Sequence, residues 1–473
     1  MSDADAKQIE RMKSLLATQK SAFRADSHRD VNRRKDDLDR LISLCQKNVD
    51  AIADAICHDF GNRARQESVI AEIAFTIQDA KHTKKHLSKW MAPKRKPLPM
   101  TLQPGKAYVR REPVGVVGII APWNYPFQMA TAPLVAALGA GCRVMLKPSE
   151  HTPATSELLK TLIAEHFEED HVTVVTGGPA VGEAFSKLKF DHLFYTGSTQ
   201  VGRLIALAAA ENLVPTTLEL GGKSPAILTD NYPVRAAAKS LGWGKCYNAG
   251  QTCVAPDYLM VPNGKEREVA EEIIRVVQHQ HPEAASDDAF TAIVSDRHYE
   301  RLNAMIEEAR SGGAEILQPD HDVEAAKAAR KVPPTIILNA PDDSKILTEE
   351  IFGPILPIIG YTSLDAATNY ISDRPHPLAL YVYSSDKQQT QRVLNATQSG
   401  GAGVNINIVH LSVPDLPFGG VGASGHGAYH GEYGFLTFTH ERAVLETGKW
   451  HPSSLLAPPY GKVYEAVAKK QLK

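Results

Sequence analysis

An α/β fold with a mostly parallel sheet and helices on both faces is what this sequence predicts, and the prediction rests on the order of its segments. Between residues 114 and 220 short β-rich runs alternate with helical stretches, an order that a parallel sheet with helical crossovers accommodates. A second α/β stretch from about 225 to 425 repeats the style less regularly. The first ninety residues are helical in pattern and contribute no strand. At 473 residues the chain exceeds the ~250–300 at which one hydrophobic core stops growing, so two or three domains are expected.

Taken in order, "DDLDRLISLCQKNVDAIADAICHDFG" places Leu38, Leu41, Ile42, Val49, Ile52, Ala53 and Ile56 near helical spacing, with Gly61 where a helix stop belongs. Cys45 and Cys57 lie on or beside that stripe and read as packing cysteines. After Pro93 prolines punctuate the chain, which predicts a hairpin with Pro104-Gly105 at its turn and a boundary. The runs "VGVVGII", "RVMLKP", "VTVVTG", "DHLFYTG" and "TTLEL" then read as strands, separated by helices in "ATAPLVAALGAG", "SELLKTLIAEHF", "GEAFSKL" and "STQVGRLIALAAAEN". Further helices are expected near 265–278 and 298–311, and "GFLTFTHERAVL" reads as a closing strand.

Composition excludes several functions. The five cysteines are odd in number and scattered, so a disulfide framework is not expected and a reducing compartment fits better. No C-x-x-C or H-x-x-x-H accompanies them, and no metal site is expected. Net charge is -2 and the basic runs are local, so no nucleic-acid footprint is expected. No run approaches the ~18 apolar residues that cross a bilayer, and the charged start lacks a signal's apolar stretch, which makes a cytoplasmic, membrane-free protein the expectation.

Five short motifs carry potential chemistry. In "FYTGSTQVG" a strand meets a glycine turn at Gly197 and a helix start near Ser198, where free N–H groups suit a pyrophosphate, although such turns are common. In "LKPSE", Lys147 and Glu150 stand just past a strand, where they suit ribose hydroxyls; read locally, they equally make a helix-start ion pair. Glu219 in "TLELGGKSP" is a strand-end glutamate with two glycines behind it, either a buried general base or a solvent-facing side chain. Of the cysteines in "CYNAGQTCVAPD", Cys253 has the polar, glycine-hinged setting that a nucleophilic thiolate needs, whereas Cys246 ends a helix beside Leu241 and Trp243. Trp123 and Asn124, between prolines in "APWNYPF", form a rigid loop that suits an oxyanion donor or a simple asparagine turn.

Together, "PWNYPF", "LKPSE", "FYTGSTQVG", "LELGGKSP", "NAGQTCVAPDY", "EEIFGP" and "LPFGGVGASGHGAYHG" resemble the aldehyde dehydrogenase superfamily over residues 30 to 445. "GQTCVAPDY" and the short C-terminus are similar to its class 3 branch, and "AAAENLVPTTLELGGKSP" with "VTGGPAVGEAF" to bacterial coniferyl-aldehyde dehydrogenases. The resemblance implies Cys253 as nucleophile, Glu219 as general base, and an oxyanion hole from the Asn124 side chain and the Cys253 N–H. It implies NAD as cofactor, with NADP possible: Lys147 and Glu150 at the adenine ribose, Gly197 and Ser198 at the pyrophosphate, Glu350 and Phe352 at the nicotinamide end, with Trp123 beside them. It also implies a Rossmann-type cofactor domain (1–95 and 114–221), an α/β catalytic domain (222–435), an oligomerisation arm (96–113 and 436–449) that makes a homodimer, and a tail (450–473). The substrate is expected to be an aromatic or medium-chain aldehyde, with Tyr125 packing against it.

Three positions depart from the pattern. Cys142 replaces a usual asparagine and is expected to affect packing alone; Ile406 and His426 fall in segments expected to shape the substrate entrance. Two other readings use the same residues. A cysteine hydrolase would need a histidine to activate the thiol, and none is near Cys253 in sequence; a silent binding scaffold would not need Cys253, Glu219 and Asn124 together.

Overall fold

A computed structural model describes residues 3–99, 102–449 and 457–472, so residues 450–456 and 473 of the expected tail lie outside the described residues. Helices Asp3–Ala25, Val31–Lys47, Val49–Phe60 and Phe75–Met91 make up most of the N-terminal part. The run expected as one helix across 36–61 is two, because Asn48 leaves helical geometry and its amide bonds back to the Leu44 carbonyl at 2.9 Å. The second of these helices stops at Gly61, whose φ of +80° glycine adopts without strain.

Six strands form the first sheet, in spatial order Gly425–His426, Thr216–Leu220, His192–Gly197, Val116–Ile120, Arg143–Lys147 and Val172–Val174. All pair in parallel except Gly425–His426, which runs antiparallel to Thr216–Leu220 and places Gly425 opposite Glu219. The chain enters at Val116–Ile120, winds outward through Arg143–Lys147 and Val172–Val174, then crosses to His192–Gly197 on the other side. The switch point therefore lies between Val116–Ile120 and His192–Gly197, and a crevice opens at their carboxyl ends.

A second sheet of seven strands follows, in order Glu315–Leu317, Thr335–Leu338, Ile355–Tyr361, Tyr258–Pro262, Pro225–Leu228, Ala379–Tyr383 and Gly401–Val404. Only its first strand is antiparallel to its neighbour. A third, antiparallel sheet joins Lys94–Lys96, Gly105–Pro113 and Thr439–Thr447. Pro104-Gly105 falls in the connection between Lys96 and Ala107, the innermost pair of the hairpin, and Gly105 also opens the middle strand opposite Thr447. The segment "GFLTFTHERAVL" is part helix: Gly431–Thr437 is helical and the strand starts at Thr439. No helix among the described residues is long and apolar enough to cross a membrane.

Candidate active site

Asn124, Lys147, Glu150, Gly197, Ser198 and Glu219 sit at strand ends or on loops at the carboxyl edge of the first sheet, and Cys253, Glu350 and Phe352 on loops that lead into strands of the second. Glu219 is carried on Thr216–Leu220, sandwiched between Thr196 and Gly425 in register. It is 2% exposed, and neither carboxylate oxygen has a hydrogen-bond partner among the described residues. Burial pushes its pKa well above the ordinary carboxylate range. A glutamate so placed keeps its proton to higher pH than an ordinary carboxylate does. Behind it, a Cβ at Gly221 would collide with the carboxylate of Glu350, so only glycine lets that side chain approach.

Cys253 follows a tight turn, Tyr247–Gly250, in which Asn248 and Ala249 both hold φ of +49°. Glycine is required at 250, where a Cβ would run into the Gly353 carbonyl. Gln251 pins the turn from inside: its amide donates to Asn248 O at 3.1 Å and Ala292 O at 3.0 Å, and its carbonyl oxygen accepts from Val294 N at 3.1 Å. Cys253 itself is partly buried and hydrogen-bonds no other side chain among the described residues. Burial, reinforced by Glu350 and Glu219, pushes its thiol up to about 12. Its surroundings raise the thiol pKa rather than stabilise the thiolate that a nucleophile needs. Cys246 is buried and pushed higher still, chiefly by burial.

Asn124 stands on the loop after Val116–Ile120, its amide donating to the Gln251 carbonyl at 3.2 Å. Trp123 beside it meets Phe352 edge-on at 5.4 Å and His298 at 4.9 Å. Phe352 holds φ of +54°, an uncommon geometry for a bulky residue that here turns its ring into the site. Asn124, Glu219, Cys253, Glu350, Phe352 and Trp123 share one cavity of about 250 Å³.

That cavity is continuous in lining with a cleft of about 1090 Å³ along the switch point, with Trp123, Gly197 and Ser198 common to both. Lys147 and Glu150 line it, paired at 2.8 Å, with Lys147 buried and Glu150 34% exposed. Burial alone would raise Glu150, but the hydrogen bond and charge of Lys147 prevail and its carboxyl lies below the ordinary value. Ser198 caps the helix Thr199–Ala210, whose first N–H groups face the cleft, and a Cβ at Gly197 would strike the Tyr195 hydroxyl. An elongated cleft, a helix N-terminus, a glycine that a side chain would obstruct and a lysine–carboxylate pair fit a dinucleotide.

Cys253 also lines a second cavity of about 160 Å³, walled by rings of Phe75, Tyr125, Trp243, Tyr247, Phe418 and Tyr429. Tyr125 closes it from the Asn124 loop, its hydroxyl 2.7 Å from Thr252 Oγ1. Neither Ile406 nor His426 contributes to that wall. Ile406 is 45% exposed, two residues before Ile408 and Val409, which do line the cavity, and His426 lies on the edge strand, its ring nitrogen 2.9 Å from Thr216 Oγ1. Cys142 packs in the core and its thiol donates to Phe438 O at 3.3 Å.

Sequence reading missed His298 and Arg301, which both line the cofactor-sized cleft and the central cavity. Arg301 donates to the carbonyls of Glu350 and Ile351 and so fixes the loop that presents Glu350 and Phe352. Their three-residue spacing on the helix Asp296–Ser311 was the available signal. Histidine does come near Cys253: His298 lines one of its cavities and His430 the other, but burial lowers them to about 4 and about 3, and neither hydrogen-bonds the thiol. Also missed were Arg63, Glu67 and Glu72, charged residues that the fold buries beneath these loops.

The family model described as the aldehyde dehydrogenase family matches residues 1–444. A probable coniferyl aldehyde dehydrogenase of Pseudomonas aeruginosa is 44% identical over 463 residues, covering 98% of this chain and 96% of that one. The dimeric NADP-preferring aldehyde dehydrogenase of Mus musculus is 37% identical, with 91% and 94% covered. A substrate-bound Staphylococcus aureus AldH structure superposes with a TM-score of 0.93 at 37% identity, covering 98% of this chain and 99% of the other.

Proposed function

The chain belongs to the aldehyde dehydrogenase family and carries out NAD(P)-dependent oxidation of an aldehyde, and from that premise we propose that Cys253 is its nucleophile, Glu219 its general base and Asn124 its oxyanion donor. One observation carries the assignment. Cys253 is common to two cavities, one shared with the polar side chains of Glu219, Asn124 and Glu350, the other walled by aromatic rings. An aldehyde whose body fills the second presents its carbonyl carbon to the sulfur at their junction.

In this reading Cys253 Sγ adds to the carbonyl carbon and its proton leaves to solvent, while the carbonyl oxygen takes up the negative charge. The Asn124 amide, with one N–H already on Gln251 O, offers its other N–H to that oxygen, beside the Cys253 backbone N–H. NAD(P) supplies the acceptor for the hydride that departs as the adduct becomes a thioester. Glu219 then takes a proton from water, the hydroxide attacks the thioester carbon, and the thiolate leaves as the carboxylic acid forms. Lys147, Glu150, Ser198 and the backbone at Gly197 would hold the dinucleotide, with Trp123, Glu350 and Phe352 at its reactive end.

The ring-lined wall supports an aromatic substrate of the coniferyl type over a very short aldehyde. Strand pairing supports a cofactor unit from 1–95 and 114–221, a catalytic unit from 222–435 and an arm from 96–113 and 436–449, except that Lys94 and Arg95 already pair in the arm's sheet and Gly425–His426 of the catalytic unit returns to the cofactor sheet. The exposed strands of the arm support a homodimer. Five unpaired cysteines support a reducing, cytoplasmic setting. The direct test is NADH formation from a cinnamaldehyde-type substrate by the parent and by Cys253→Ala; activity that survives in the variant would overturn the assignment.

A further inference from the structure

Beneath the Asn124 and Cys253 loops lies a cluster of charge that lines neither cavity itself. Arg63 and Glu72 are both fully buried and form an ion pair of 2.7 Å. Glu72 sits in a π-helical stretch, Ser68–Ala74, a rare geometry that recurs at functional sites. Its second carboxylate oxygen accepts from the N–H groups of Phe127 at 2.8 Å and Gln128 at 3.1 Å, where the helix Gln128–Ala140 begins. Glu72 therefore ties the ion pair to the end of the loop that bears Asn124.

Arg63 reaches the loop directly. Its Nη1 donates to the backbone carbonyl of Asn124 at 3.1 Å, and its guanidinium lies over the Tyr125 ring, 4.7 Å from the centroid. The same carbonyl accepts from Asn248 Nδ2 at 2.9 Å, and that amide also donates to Gln251 O at 3.0 Å, the acceptor that holds the Asn124 side chain. Glu67, partly exposed as a residue but with its carboxyl desolvated and pushed up to about 7, accepts from Asn248 N at 3.0 Å and from Thr291 Oγ1 at 3.2 Å. Asn248 is held in left-handed geometry at φ +49°, so an external partner for its N–H has something to hold. Two loops that meet only in the folded chain are thus locked to each other, and to the N-terminal helices, through one carbonyl oxygen.

A pair this deeply buried costs more to desolvate than an apolar filling of equal volume, so its presence is not explained by stability. We propose that Arg63, held by Glu72, is a positioning residue for the oxyanion site: it fixes the Asn124 peptide so that the Asn124 amide and the Cys253 N–H converge on one point. The proposal rests on the reading of Asn124 as oxyanion donor. Displacement of a donor by about 1 Å costs on the order of a hundredfold in rate, which sets the scale of the effect.

The test is a double-mutant cycle of Arg63→Lys and Asn124→Ala. Lysine keeps the charge but lacks the flat fork that stacks on Tyr125 while bonding Asn124 O. Two rates are read: the first-turnover NADH burst, and cofactor-free acylation of Cys253 by 4-nitrophenyl acetate, which forms the same oxyanion and releases nitrophenolate. Arg63→Lys should lower both by about tenfold or more, while NAD binding measured by tryptophan fluorescence stays within about twofold. In the Asn124→Ala background the same exchange should cost less than about threefold. If Arg63→Lys does not fold, Arg63→Met combined with Glu72→Gln removes the pair without leaving a lone buried carboxylate and carries the same measurement. Parental rates in the Arg63 variant, or a full additive loss on top of a large Asn124→Ala effect, would overturn the proposal alone. No effect of Asn124→Ala on acylation would overturn the oxyanion reading and this proposal with it.

Discussion

Replacing Glu219 by glutamine keeps the shape of the side chain and removes the group that accepts a proton. In the parent both oxygens are buried and unpartnered among the described residues, and burial raises the pKa, so at a given pH a smaller fraction of the carboxyl is ionised than in an ordinary carboxylate. That fraction grows about tenfold per pH unit below the pKa, and the rate of thioester hydrolysis should climb with it. A positioned general base contributes about 10²–10⁴ in rate, so Glu219→Gln should slow steady turnover by about a hundredfold and flatten its pH profile. Addition of the thiol and loss of hydride do not need this base. One NADH per Cys253 should therefore still form rapidly, as a burst before the slow phase in stopped-flow absorbance. A variant that turns over at the parental rate at neutral pH, or one that loses the burst along with turnover, would refute the reasoning. Stability supplies an independent check. The unfolded chain ionises this carboxyl near the ordinary ~4.3 while the folded protein keeps the proton to higher pH, so the native state binds more protons across that window and its stability falls as pH rises through it. Glutamine cannot ionise, and the Tm of the variant should lose this slope and exceed that of the parent at alkaline pH.

Three further outcomes are expected. Iodoacetamide should alkylate cofactor-free Cys253 slowly and about tenfold faster per pH unit, because the thiol is pushed up to about 12; Cys253→Ala should abolish oxidation, whereas Cys246→Ala should retain most of it, and equal losses would contradict the assignment. NAD should be preferred over NADP because Glu150 opposes a 2'-phosphate, by several-fold rather than more since the side chain is 34% exposed; Glu150→Gln should narrow the gap, and equal kcat/KM for the two cofactors in the parent would exclude this residue as the discriminator. Across acetaldehyde, hexanal, decanal, benzaldehyde and coniferaldehyde, the ring-walled cavity should favour the larger substrates over acetaldehyde by at least about tenfold in kcat/KM, and acetaldehyde at the top would end that reading.

The alternation between 114 and 220 was legible because each strand and helix there carries its own signal: an apolar run, a periodic face, a glycine at the joint. That local information placed the catalytic candidates too, since "NAGQTC", "LELGG" and "PWN" each end or begin an element. Where local signals compete, the fold decided. Asn48 split a helix that periodicity ran together, and the segment before Thr439 became helical. His426 shows the same limit from the other side: its neighbours in sequence belong to a loop near the site, but pairing with Leu218 turns it to an outer edge. The sequence by itself determined the fold class, because that depends on residue type and short spacing, and its motifs taken together, through their resemblance to a family, singled out Cys253, Glu219 and Asn124 as the residues proposed for the chemistry. Only the tertiary structure decided that burial raises the Cys253 thiol, that His298 and Arg301 join the cleft, and that Arg63, Glu67 and Glu72 lie against the Asn124 and Cys253 loops. These depend on burial and on contacts between segments as much as 224 residues apart, as between Glu67 and Thr291, and no local pattern encodes the dielectric or the partner that a side chain will meet.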